Sequence, residues 1–504
     1  MRPASLSFAA LACAACGAAL LAVFALPPAA GQAAPEAAGF GADFRDRVLR
    51  IDYFHVVGGK EEWITLDRMK EEGPWPGSRT HLLDEFDNGA YYVKLFDAAT
   101  GRLLYSRGFD SYAGEYRTTG EAEKGIRRTY HETARVPFPL HKARFAVEVR
   151  QRDKTLRELF EAEIDPASYT ILREPLVAGV TLVEAQRSGD PHAKVDVAIV
   201  GEGYTAAEQA LFRQDLARYT EVLLGFEPYR SMRELFNVWG VFAPSQDSGC
   251  DEPSRGIYKN TAVGATFDSL GSERYLLTED NEKLHDIAAH APYDIVFVMV
   301  NQERYGGGGI YNFFCTFTTR NQWSEYVFLH EFGHAFAGLA DEYYTSSTAY
   351  NEFYPRGIEP NEPNITALLD PAQLKWRELV TPKTPVPTPW EKAGFDEMDR
   401  KYQKIREEMN RKIAERSRAQ APAAEIDALK AESERMSLEH AQKVDAYLAQ
   451  SKFAGQVGAF EGAGYSSEGL YRSSLDCMMF TKGRKPFCAA CRRAIERVAR
   501  QYTE

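Results

Sequence analysis

The chain has 504 residues, of which 44% are hydrophobic and 12% aromatic, a globular composition long enough for two or three domains. Its formal net charge of −12 and pI near 5.5 argue against nucleic acid or an anionic membrane surface as the partner. No basic patch offsets that balance.

Residues 1–33 differ from everything after them. Arg2 is the only charge before a long apolar run from about Leu6 to Leu26, which ends in Pro27-Pro28-Ala29-Ala30-Gly31. This reads as a secretory signal with cleavage near 31–34, and so as export to the periplasm, the cell surface or the medium. The run is long enough for an uncleaved membrane anchor, and Cys13 and Cys16 add a lipoprotein alternative. No later apolar run reaches spanning length. Five cysteines remain beyond the signal, Cys250, Cys315, Cys477, Cys488 and Cys491. In an exported chain they are expected to form structural bridges with one left over. Cys488-x-x-Cys491 lacks the second C-x-x-C of a zinc ribbon.

Residues 40–170 carry short alternating segments such as YYVKLFDA and RFAVEVRQRD, separated by turn signals such as DNGA. An antiparallel β-sandwich is expected here, serving packing or substrate presentation. From about 175 to 504 the texture is α/β. VDVAIVGEGYT (195–205), NVWGVFAP (237–244) and YDIVFVMVN (293–301) read as buried strands, with a helix from Ala206 through Leu224 after the first. Gly201-x-Gly203 lacks a third Gly and a Walker Lys, so it reads as a tight turn. Gly306 to Gly309 permit close backbone approach, and Gly307 and Gly308 are candidate contacts for a peptide substrate pairing at a sheet edge.

His330-Glu331-Phe332-Gly333-His334 spells H-E-x-x-H. On a helix, residues i and i+4 share a face, so both imidazoles can reach one zinc ion. Glu331 projects beside them, placed to take a proton from a water on the ion. Val327, Phe328, Leu329, Phe332 and Phe336 supply the apolar back of that helix. A catalytic zinc needs a third protein ligand. Asp341 lies seven residues past His334, about 10 Å along a straight helix, unless Gly338 ends the helix and swings the chain back. Glu342 and Glu352 are the competing carboxylates.

Residues 390–452 form a charged helical hairpin, expected to be exposed and inserted into the catalytic domain. Phe395, Met398, Tyr402, Ile405, Met409 and Ile413 recur at helical spacing, and Pro422 separates the two runs. The Pro-rich stretch 381–390 is its entry.

HEFGHAFAGLADEY (330–343) resembles the metal motif of the IgA-peptidase-like family of secreted bacterial metallopeptidases. YGGGGIYN (305–312), TPVPTP (384–389), VGAFEGAGY (457–465), YRSSLDCMM (471–479) and FCAAC (487–491) resemble it in the same order. The family is similar to the metzincins. The resemblance implies an α+β chain with a zincin domain, His330, His334 and Asp341 as zinc ligands, Glu331 as general base and Met479 as a methionine turn. Metzincins usually place Gly three and the ligand six residues after the second His, where this chain has four and seven. The expected reaction is hydrolysis of a polypeptide or glycoprotein substrate, with Tyr343, Tyr344 or Tyr471 stabilising the oxyanion. The competing expectations are a binding protein with a structural metal site and a cell-wall peptide amidase.

Overall fold

In the computed structural model, which describes residues 39–59, 61–345 and 354–503, the strand Val195–Glu202 is buried at every position. Such a strand needs cover on both faces. Val195, Val197 and Ile199 join a cluster with Phe212, Leu216 and Tyr219 of the helix Gln209–Leu224. Ala198 and Val200 join a second cluster with Leu284 and Ile287 of the helix Asn281–Ala288. The strand Ile295–Val300 divides in the same way, Phe297 and Met299 to one cluster and Val296 and Val298 to the other. A side-chain period of two therefore makes two cores from two short runs.

These strands belong to a six-stranded sheet ordered Gly307–Ile310, Phe314–Thr318, Ile295–Val300, Val195–Glu202, Phe236–Phe242 and Thr181–Gln186. The four inner strands run parallel, and the two outer ones close the edges antiparallel. The motif helix Ser324–Ala337 packs on the Gly307 end through Val327, Phe328 and Phe332. A Cβ on Gly307 would fall 2.5 Å from Val327 Cγ1, and one on Gly309 2.5 Å from the Glu331 carbonyl. Only glycine lets the helix lie that close to the edge strand.

Residues 44–172 form two four-stranded sheets. The first runs Arg128–Pro139, Phe44–Gly58, Glu61–Glu71, Ile171–Leu172, and the second Leu103–Phe109, Tyr91–Asp97, Ala143–Arg150, Leu156–Ile164. Ile51, Tyr53 and Val136 of the first share an apolar cluster with Tyr91, Leu95 and Phe145 of the second. Val57, Tyr112, Tyr116 and Tyr130 instead enter the second core of the α/β half. Arg50, fully buried, adds ion pairs to Asp52 at 2.7 Å and to Asp286 at 2.6 Å. The chain from Gly39 onward is thus one α+β unit.

Two expectations change. The hairpin helices Lys392–Arg418 and Ala423–Leu448 bury residues at the root and, through Ile413 and Ala414, near the tip, and are exposed elsewhere. Phe395, Val444 and Leu448 at the root join the main core, and Asp396 accepts a hydrogen bond from Tyr344 at 2.8 Å. Nor do the cysteines bridge: the five among the described residues are free and buried. Cys250 and Cys315 belong to different cores, which keeps them apart. Residues 1–33 and Glu352 lie outside the described residues. Among the described residues no helix is long and apolar enough to cross a membrane.

Candidate metal centre

The motif helix ends where its sequence changes character. Gly338 takes the left-handed conformation, φ 56° and ψ 38°, and its N–H bonds to the His334 carbonyl at 2.9 Å. Leu339 N–H reaches back to the Gly333 carbonyl at 3.2 Å, completing a Schellman-type stop. Asn88, from the loop before Tyr91, donates to the Gly338 carbonyl at 3.2 Å and fills the space a Cβ there would need. The chain then reverses, and Asp341 returns to the histidines.

Three atoms meet there. His330 Nε2 and His334 Nε2 are 3.1 Å apart, and Asp341 Oδ1 is 3.0 and 3.2 Å from them. Each ring gives its other nitrogen to a backbone carbonyl, His330 Nδ1 to Met478 at 3.1 Å and His334 Nδ1 to Leu339 at 2.5 Å. That fixes the tautomers and turns two imidazole lone pairs and a carboxylate oxygen toward one point. Three lone pairs converging in a buried spot repel one another unless a cation sits among them. The edges of the triangle are close to the ~3.3 Å set by a tetrahedral ion with nitrogen and oxygen ligands near 2.0–2.1 Å. The donor set therefore fits a divalent metal.

The local charges follow. Burial disfavours the charged form of His334, yet the Asp341 carboxylate outweighs it and pushes the imidazole up to about 9. Burial also opposes ionisation of Asp341, but the two histidines hold it well below the usual carboxylate range. Glu331 is raised by burial, with the histidines pulling against that rise. Among the described residues its carboxyl has no hydrogen-bond partner.

Around the triangle lies a cleft of about 840 Å³. It is lined by Tyr343, Tyr465, Gly307 and Gly309, and by Asp110, Arg117 and Arg150 from the N-terminal half. Tyr343 receives a hydrogen bond from Arg274 at 2.9 Å. Tyr465 donates to Asp341 Oδ2. Asn364 clamps the returning turn, its amide bonded to both the N–H and the C=O of Ala340 at 2.8 and 2.9 Å. Met478 and Met479 supply backbone carbonyls to His330 and to Glu342 N–H, the latter at 2.8 Å. The Met479 sulfur lies directly under Gly333.

The structure thus brings together His330, Glu331, His334, Asp341 and Tyr343, with Met479 beneath. Tyr471 faces Glu461 and Thr366 on a separate three-stranded sheet, outside the cleft. Tyr344 is turned toward Phe395 and Phe480. Glu342 points away from the histidines. Gly308 lies against Tyr275, and the N–H and C=O of Gly307 are taken by Arg274 and Leu276. Tyr465, Asn364 and Arg274 were not singled out from sequence. Tyr465 does close the VGAFEGAGY stretch, and a tyrosine ending a Gly-rich turn was the available signal.

A buried His-His-Asp triangle at the foot of a substrate-sized cleft defines the chain as a protein with a candidate metal centre open to a ligand. Residues 183–499 match the family model described as IgA Peptidase M64, and residues 39–161 match the Peptidase M64 N-terminus. The chain belongs to the IgA peptidase M64 family, and it is a peptidase. No curated protein sequence matches it.

Proposed function

We propose that the protein is an exported zinc-dependent endopeptidase with His330, His334 and Asp341 as metal ligands and Glu331 as general base. The observation that carries this reading is the convergence of three lone-pair donors beside a glutamate with no hydrogen-bond partner among the described residues. A bound zinc would lower the pKa of a water toward 7 and polarise the scissile carbonyl. Glu331 takes the proton of the attacking water and delivers it to the leaving amine. Burial raises its pKa, which makes it a better proton acceptor than an exposed carboxylate. Tyr343, held by Arg274 and facing the cleft, stabilises the oxyanion. Tyr465 is committed to Asp341 and orients that ligand.

Backbone alternation gives Gly309 the same outward direction as Gly307. Gly309 lines the cleft beyond the stretch covered by residues 274–276, so a peptide adds to the edge strand there. In fold terms, the N-terminal sheets are a β-sandwich and the remainder a metzincin-like domain with Met479 as its apolar floor. A structural-metal role fits less well, because a closed site has no use for an uncommitted glutamate or a cleft.

Purified Glu331→Ala protein should keep its zinc and lose peptidase activity by roughly 10²–10⁴-fold. The measurement is hydrolysis of a mixed peptide library, with and without chelator, beside the metal content. Full activity in the variant would overturn the assignment.

A further inference from the structure

The residue after Asp341 points into a second cluster. Glu342 is completely buried, and its carboxylate meets three thiols that the sequence keeps far apart. Glu342 Oε1 lies 3.3 Å from Cys491 Sγ and 3.5 Å from Cys488 Sγ, and Cys477 Sγ lies 3.9 Å from Cys491 Sγ. The four ligand atoms are within 4.8 Å of one another. Glu342 Oε2 is buried and has no hydrogen-bond partner among the described residues.

A buried carboxylate with one oxygen unsatisfied is costly unless a cation or a proton compensates it. The buried Arg472 lies near enough to act on it electrostatically but forms no ion pair with it among the described residues. The thiol separations are too long for a bond and close to the ~3.8 Å between sulfurs at the corners of a zinc tetrahedron with Zn–S near 2.3 Å. Backbone N–H groups point at the sulfurs: Cys488 N–H and Met479 N–H at Cys477 Sγ, 3.2 and 3.5 Å, and Cys491 N–H at Cys488 Sγ, 3.4 Å. Donors aimed at sulfur stabilise thiolate, the form that binds metal. Asn364 Nδ2 donates to Glu342 Oε1 at 3.1 Å and holds the carboxylate in place.

From these observations we infer that Cys477, Cys488, Cys491 and Glu342 form a second, closed structural site for a tetrahedral, thiophilic divalent ion, zinc. Binding forms three sulfur bonds and one oxygen bond to the ion and releases the three thiol protons to solvent. All four ligand positions come from protein, so no place remains for water or substrate. The site pins three segments at one point: the turn carrying Asp341, the methionine turn and the start of the helix Ala489–Thr503. It is therefore also a positioning device for Asp341, a role that rests on the proposed catalytic ion.

The test is metal counting on the full chain after the signal, with ligand identity read by zinc X-ray absorption. The wild type should hold two zinc ions, and the spectrum should show sulfur scatterers near 2.3 Å beside nitrogen and oxygen. Cys488→Ser/Cys491→Ser should hold one ion with the sulfur signal gone. In that variant the remaining ion should be stripped by chelator at a concentration roughly 10–100-fold lower, the scale for loss of a ligand-orienting partner. His330→Ala/His334→Ala should keep the sulfur-bound ion, which secures the result if the cysteine variant fails to fold. A wild type without zinc–sulfur scattering, or with a disulfide between two of the three cysteines by mass, overturns the inference. Loss of the nitrogen-bound ion or of activity bears only on the proposed catalytic site.

Discussion

Asp341 and Glu342 are adjacent acidic residues, and their side chains enter opposite surroundings. Asp341 faces two histidines at the foot of an open cleft, where His334 retains 14% side-chain exposure and Glu331 has no hydrogen-bond partner among the described residues. Glu342 faces three cysteines in a core where Cys477, Cys491 and the carboxylate itself are all 0% exposed. The first set offers three donor atoms beside an open cleft. The second has four and no room. The difference teaches that ligand count and solvent access, rather than residue type alone, separate a reactive centre from a structural clasp. Two consecutive residues can feed both because a turn beyond Gly338 lets their side chains diverge.

Breaking each side of that pair should give opposite signatures. Asp341→Ala should lose the ion of the histidine site and all hydrolysis while changing global stability little. Glu342→Ala should cost about 3–5 kcal/mol of unfolding free energy, the scale for removing one member of a buried charged cluster. Urea unfolding and metal content, measured together, check both. Equal effects would show that the two clusters are not separable.

Asn364 touches both sides at once, through Ala340 and Glu342. Asn364→Ala leaves a buried N–H and C=O unpaired and should cost about 2–3 kcal/mol, with weaker retention of metal at each cluster. Denaturant midpoints and chelator titration read the two losses separately.

A control lies in the N-terminal sheets. His55 is buried with Glu132 at 2.8 Å and Glu62 at 3.2 Å. Burial opposes its charge, yet those carboxylates raise it to about 9. Its folded pKa is above the unfolded value of about 6.5, so its contribution is complete below that pH and is lost as pH rises through 9. The shift corresponds to about 3 kcal/mol. His55→Gln should flatten stability between pH 6.5 and 9 while leaving both clusters loaded, as urea melts across that range would show. The smallest expected effect is Tyr465→Phe. Losing the hydroxyl that orients Asp341 should weaken zinc binding roughly tenfold without unfolding the protein, measured by competition with a chromogenic chelator.

Much of this was legible in the sequence where the signal is local. Spacing of i and i+4 places His330 and His334 on one helical face, and a left-handed glycine four residues later stops the helix. Continuous apolar runs at 195–202 and 295–300 announce strands covered on both faces. These readings need only near neighbours, because backbone geometry repeats every two or every 3.6 residues. What the tertiary structure decided is which distant segments meet. Asp341 and Glu342 look alike in sequence, and only packing against Met478, Met479 and Asn364 sends one to the histidines and the other to the cysteines. Cys477 is eleven residues before the C-x-x-C pair and far from Glu342, so no spacing rule joins them. Tyr465 reaches Asp341 across 124 positions. Long-range contacts depend on how whole layers stack, which no local period encodes.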